Sequence, residues 1–146
     1  MPDTPISAKQ KRTVIERAGA CREYCRSRAR FATQPFSVEH IIPRSQGGSS
    51  TLGNLALACQ GYNNHKYIKT EGGDAVSGEM VPRYHPRQQL WHEHFAWNED
   101  YTLIIGVTPC GRATVDTLHL NRAGIVKLRR VLYAMGEHPP GEAQVE

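Results

Sequence analysis

One stretch constrains the fold more tightly than any other. It runs Glu39-His40-Ile41-Ile42-Pro43, then Gly47-Gly48, then Asn54-Leu55, then Cys59-Gln60-Gly61-Tyr62-Asn63-Asn64-His65-Lys66. Residues 36–41 alternate apolar and polar, the pattern of a strand, and Pro43 stops it. Gly47-Gly48-Ser49-Ser50 lies in a turn-rich loop over 44–53. Leu55-Ala56-Leu57-Ala58 is a plausible second strand. The polar run from Cys59 to Lys69 reads as one helix, with Gln60 to Tyr62 at its first turn.

The flanks are read by the same rules. Residues 8–19 carry Val14, Ile15 and Ala18 among Lys and Arg, a short basic helix with Ser7 as cap and Gly19 as stop. Residues 20–36 are irregular and Arg-rich. Turns are expected at 74–78 and 82–86. Trp91, Phe95 and Trp97 suit a partly buried segment. On a strand, His92 and His94 would share one face and could chelate a metal, although surface positions beside buried Trp91 and Phe95 are the plainer reading. Residues 102–107 read as a strand, and Thr108-Pro109 starts a short helix. Asn121 is the expected cap of a last helix with Ile125, Leu128, Leu132 and Met135 on one face and Gly136 past its end. His85, His119 and His138 fall in no pattern, and 139–146 read as a frayed tail.

At 146 residues, with 39% hydrophobic and 22% charged, the chain has the size of one compact domain. Its longest apolar runs are a few residues, against the ~20 of a membrane span. The opening Met1-Pro2-Asp3-Thr4 lacks the basic and apolar regions of a secretory leader, so a cytoplasmic protein is expected. Charge is divided unevenly. Residues 1–70 hold eleven Lys and Arg against four acids, a balance of +7, whereas 71–146 hold seven against ten, a balance of −3. A basic first half suits a polyanionic partner, although a solvated helix face explains such asymmetry equally well on its own.

Four cysteines without a leader do not make a disulfide framework. A zinc knuckle wants two Cys-x-x-Cys pairs. The first pair here, Cys21 and Cys25, has three intervening residues, and the second, Cys59 onward, has Tyr62 in its last position. Cys21, Cys25 and Cys59 supply at most three thiolates. The expectation is that no zinc is bound, with Tyr62 packed there and the cysteines as small core residues.

Taken in order, the motifs of residues 20–70 resemble the HNH endonuclease family, whose pattern is Asp/Glu-His-Ile-x-Pro, Gly-Gly, Asn-Leu, and Cys-x-x-Cys-Asn/His-x-x-Lys. The altered cysteines depart from it; the catalytic set does not depend on them. The resemblance implies an α+β fold: a ββα-metal (His-Me finger) core with a mixed α/β C-terminal extension. The organisation expected is a basic helix plus nuclease core over 1–70 and an extension over 71–146 packed on it. The extension also resembles that of stand-alone bacterial HNH proteins, through Trp91-His92-Glu93-His94-Phe95, Gly111-Arg112-Ala113-Thr114 and the helix after Asn121.

By the same resemblance His40 is the general base and Asn54 holds the loop that aims it. Glu39 and Asn63, with His65 as an alternative, coordinate one divalent cation. Oxygen donors favour Mg²⁺ or Mn²⁺. Lys66, Lys69 and Arg44 contact phosphates. The implied reaction is hydrolysis of DNA to 5′-phosphate and 3′-hydroxyl ends with low sequence specificity, RNA not being excluded as a substrate. Neighbours on a strand point to opposite faces, so Glu39 and His40 can serve one site only where the strand ends or kinks. Singly, His40 reads as a structural histidine, Asn54 as a turn residue, Asn63 as a helix cap, and Lys66 with Lys69 as a solvated face. The alternative to an enzyme is a catalytically weak protein that keeps the fold to bind nucleic acid or a partner.

Overall fold

In a computed structural model, residues 5–19, 21–27, 36–59 and 71–140 are described. They form an α+β arrangement of four helices and three two-stranded antiparallel sheets. The first helix, α1 (Ala8–Arg17), starts with a complete capping box. Ser7 Oγ accepts from the Gln10 N–H at 3.1 Å, and Gln10 Oε1 accepts from the Ser7 N–H at 2.9 Å. Its buried side, Val14 with Ala18 beyond the last turn, packs on Leu55 and Leu57.

Strands β1 (Phe36–His40) and β2 (Leu55–Cys59) pair with Phe36 opposite Cys59 and His40 opposite Leu55. Alternation along β2 divides the hairpin between two cores. Leu55 and Leu57 face α1, while Ala56 and Ala58 join Tyr24, Cys25 and Ile41 in the main core. Residues 21–27 cover the free edge of β2. The Glu23 N–H donates to the Leu57 carbonyl at 2.8 Å, and the Glu23 carboxylate accepts from the Leu57 N–H at 2.9 Å.

Tyr84, Trp91, Phe95, Ile104, Leu118 and Ile125 complete the main core, which therefore contains residues from both halves of the chain. Strands β3 (Glu71–Gly73) and β4 (Met80–Pro82) form a hairpin, as do β5 (Phe95–Trp97) and β6 (Ile104–Gly106). A single helical turn, α2 (Trp91–His94), precedes β5, and α3 (Pro109–Leu118) follows β6. Thr108 caps α3 as expected, its hydroxyl accepting from the Gly111 N–H at 3.0 Å. The last helix is α4 (Ala123–Ala134). Among the described residues no helix is long and apolar enough to cross a membrane.

Three local expectations and one alternative reading are corrected. Pro82 closes β4, and the next turn falls at 86–88. His92 and His94 lie on a helical turn, where positions two apart diverge; His92 is exposed, and His94 Nδ1 sits 2.7 Å from the Thr108 hydroxyl. Asn121 does not cap α4, whose cap is Arg122. Its amide instead accepts from the Ile104 N–H at 2.8 Å and donates to the Ile104 carbonyl at 2.9 Å, replacing a neighbouring strand along β6. On α4 the fully buried positions are Ile125, Arg129 and Leu132, whereas Leu128 is half-buried and Met135 is exposed. The Arg129 guanidinium is tolerated because it donates to the carbonyls of Thr102 at 2.8 Å and Leu120 at 2.7 Å and lies 5.3 Å from the Trp97 ring centre.

The β3–β4 turn is tied to α3 by Asp74, whose buried carboxylate takes a two-pronged bond from Arg112 at 2.6 and 3.1 Å. Arg112, followed by Ser77, holds the Asp74 carboxyl well below the usual carboxylate range. A depressed folded pKa gives a contribution fully present above the unfolded value of ~4 and lost as pH falls through the folded one. Asp74→Asn is therefore expected to melt earlier than the parent at pH 7, with the gap closing in strong acid. An equal gap at both pH values in thermal denaturation would contradict this.

Candidate active site

The loop between β1 and β2 is held by Asn54, buried at the end of a 3-10 turn (Leu52–Asn54). Its Oδ1 accepts from the Ile42 N–H at 2.9 Å, and its Nδ2 donates to the carbonyls of Ile42 at 3.1 Å and Ser49 at 2.8 Å. The Asn54 carbonyl accepts from the Ile41 N–H at 2.8 Å. One residue thus closes both ends of the loop.

The two glycines have different reasons. Gly47 ends the 3-10 turn Arg44–Gln46 at φ +89°, a left-handed conformation that favours glycine. Gly48 lies against the backbone: a Cβ there would fall 1.8 Å from the Ile42 carbonyl oxygen and 2.9 Å from Asn54 Nδ2. The loop therefore presses on the residues that directly follow His40.

Strand β1 ends at His40, and the chain bends at 41–42, as a shared site requires. Even so, the last two side chains of β1 leave on opposite faces. His40 pairs with Leu55 and lies on the α1 side, where its Nε2 is 2.9 Å from the Ser50 hydroxyl. Ser50 is in turn tied to α1, since Gln10 Nε2 donates to its carbonyl at 2.7 Å. Glu39 pairs with Ala56 and lies on the main-core side, accepting from the Ser37 hydroxyl. Burial raises the Tyr24 hydroxyl pKa against the opposing pull of Arg83, and the negative charge of Glu39 adds to the rise. Arg83 donates to the Ile41 carbonyl at 2.6 Å.

The remaining candidates fall into three groups. Arg44 is exposed in the loop. Cys21 and Cys25 are buried, Cys25 within the main core. Tyr62, Asn63, His65, Lys66 and Lys69, together with the Cys59 side chain, lie outside the described residues. Among the described residues no three His, Cys, Asp or Glu side chains gather as a metal group. Glu39 is a hard oxygen donor at a strand end, which fits a hard divalent cation as one ligand of a set.

Sequence reasoning missed Ser50, Gln10 and Arg83, which fix His40 and Ile41 from outside the motif. Ser and Gln in a loop and a helix carry no signal of such a role, and Arg83 is 42 residues from the Ile41 carbonyl it holds.

The family model described as HNH endonuclease matches residues 21–67, the segment that contains this hairpin, its glycine loop and Asn54. No curated protein and no solved structure matches the chain.

Proposed function

From the HNH endonuclease segment at residues 21–67, which points to a nuclease-type function on a nucleic-acid substrate, we propose that the chain hydrolyses phosphodiester bonds in DNA with one divalent cation. The observation that carries the reading is the end of β1, where Glu39 on one face and His40 on the other occupy the last two positions of a strand whose following residues are clamped by Asn54. A phosphodiester lying across a strand end reaches both faces, which one lying along a strand does not.

In this reading His40 takes the proton of the attacking water as general base. An imidazole pKa of ~6.5 is suited to that transfer near neutrality. Ser50 and Asn54 hold the ring and the backbone behind it. Glu39 and Asn63, with His65 as the alternative to Asn63, hold Mg²⁺ or Mn²⁺. The cation, when bound, supplies charge neutralisation at the phosphate and the leaving 3′ oxygen. Arg44, Lys66 and Lys69 bind flanking phosphates. The core of this unit, in this reading, is the ββα-metal arrangement of which the β1–β2 hairpin is the ββ part. Residues 71–146 act as an extension that braces it, the buried thiols of Cys21 and Cys25 fill space, and no zinc is held by Cys21, Cys25 and Cys59.

Two tests bear on this. Products from an end-labelled duplex incubated with Mg²⁺ or Mn²⁺ are expected to carry 5′-phosphate and 3′-hydroxyl ends, and so to be rejoined by DNA ligase; ends that resist ligation until a 3′-phosphate is removed would contradict the proposed chemistry. DNA binding should weaken steeply with salt, and Arg44→Ala should flatten the log–log slope by about 0.9, the loss of one phosphate contact. An affinity indifferent to salt would remove the polyanion from the account.

The second reading, a protein that binds nucleic acid without cutting it, is favoured by one observation: Glu39 and His40 occupy opposite faces of the hairpin. It predicts a mobility shift with intact DNA in every metal.

A further inference from the structure

A cleft of about 500 Å³ opens where residues 71–89 meet the end of β1. Ile41 and Ile42, directly after His40, form one wall, and Glu71, His85, Gln88 and Gln89 contribute to the others. Its volume lies in the range of small-ligand sites, roughly 300–1,000 Å³, ample for a nucleobase. Residues 71–89 fall outside the segment matched by the family model, so the cleft belongs to this chain's extension as much as to its hairpin.

Two of its side chains offer hydrogen-bonding atoms that no other described residue uses. His85 Nδ1 accepts from the Arg87 N–H at 3.2 Å, and its Nε2 has no partner among the described residues. Burial lowers the His85 pKa against a backbone hydrogen bond that raises it, and the charge of Arg83 adds to the fall, which favours the neutral ring. A neutral ring accepting at Nδ1 carries its proton on Nε2, and is therefore a donor there. Gln88 is exposed, and its side-chain amide makes no hydrogen bond among the described residues. Gln89 is committed: its Oε1 accepts from the His85 N–H at 2.7 Å and its Nε2 lies 3.3 Å from His94 Nε2. That bond fixes the loop carrying His85.

The charges disfavour a phosphate here. The Arg83 guanidinium is buried and directed at the Ile41 carbonyl, and Glu71 adds an exposed carboxylate. What fits is flat and uncharged, with donors and acceptors along its edge, resting on the exposed Ile42 side chain. We propose that this cleft is a subsite for the edge of a nucleobase flanking the cleaved bond, read by the Gln88 amide and His85 Nε2. The inference rests on the nuclease reading in taking a polynucleotide as its ligand.

The test binds random-sequence DNA duplexes to the full chain in EDTA and sequences the bound fraction; a parallel sample with Mn²⁺ has its cut ends sequenced. The parent is expected to show one position with a base preference of about tenfold, the discrimination of a good bidentate contact. Gln88→Ala should bring that preference toward unity, and His85→Ala should weaken it. Val76→Ser, at the exposed tip of the β3–β4 hairpin, should keep the parent pattern. A bound fraction with no preference at any position overturns the subsite, as does a preference that survives both cleft substitutions. Absence of cut ends in Mn²⁺ counts against the nuclease reading instead, because the bound fraction still reports on the subsite.

Discussion

His40→Ala is expected to lower the single-turnover rate of duplex cleavage by about 10²- to 10⁴-fold, the contribution of a positioned general base. DNA affinity should stay at the parent level, since phosphate contacts come from the basic side chains. The substitution is mild for the fold. His40 is half-buried at the last position of its strand, and its ring bonds to the Ser50 hydroxyl, which keeps its carbonyl tie to Gln10 when the ring is gone. Loss of cutting with loss of binding would instead mean that the hairpin had been disturbed. Undiminished cutting would place the base elsewhere.

The second large effect is expected at Asn54. Asn54→Ala removes three hydrogen bonds at once and leaves the Ile42 amide and the Ser49 carbonyl to find other partners. At about 1–3 kcal/mol for each buried polar group left unpaired, the loss of unfolding free energy should be about 2–4 kcal/mol. Denaturant unfolding measures it. Cleavage per folded molecule should fall as well, because Asn54 fixes the two residues that follow His40. A variant that loses stability but cleaves at the parent rate when folded would make Asn54 a purely structural clamp. Asn54→Asp sharpens the point: it keeps the shape and one acceptor, yet places a charge where Nδ2 now donates to two carbonyls.

Local rules carried the reading of several elements a long way. Ser7 and Thr108 are capping residues whose bonds are set within three positions, so their roles need nothing from the rest of the fold. The alternation of 36–41 gives the first strand, the short apolar run 55–58 the second, and the double glycine the turn between them. The family resemblance gives Asn54 the role of holding the loop, and its side-chain amide bonds Ile42 at the loop's start and Ser49 within it.

The rest depends on distant partners. Trp91, Phe95 and Trp97 fit both a helical and a strand period, and the chain uses each in turn, α2 and then β5. Arg129 and Arg83 are charged, and charge in a sequence reads as surface. Each is buried because backbone carbonyls from remote segments happen to face it, Thr102 and Leu120 for one, Ile41 for the other. Asn121 precedes a helix, the ordinary place of a cap, yet the unpaired side of β6 takes its amide. His138, with no pattern around it, is buried edge-on to Trp97 and bonds the Tyr101 carbonyl at 2.9 Å. Where Glu39 and His40 point was legible from the two-residue period of a strand; which core claims each face was not, since that depends on α1 and on residues 84–125 together.

The central claim is that the strand end at Glu39 and His40 supports metal-dependent cutting of DNA. Conversion of supercoiled plasmid in Mg²⁺, Mn²⁺ or EDTA, run beside His40→Ala, tests it most directly. The account predicts relaxed or linear product with the parent in at least one of the two metals, none in EDTA, and none above background with the variant. Plasmid left supercoiled by the parent in both metals, or cut equally by His40→Ala, would contradict it.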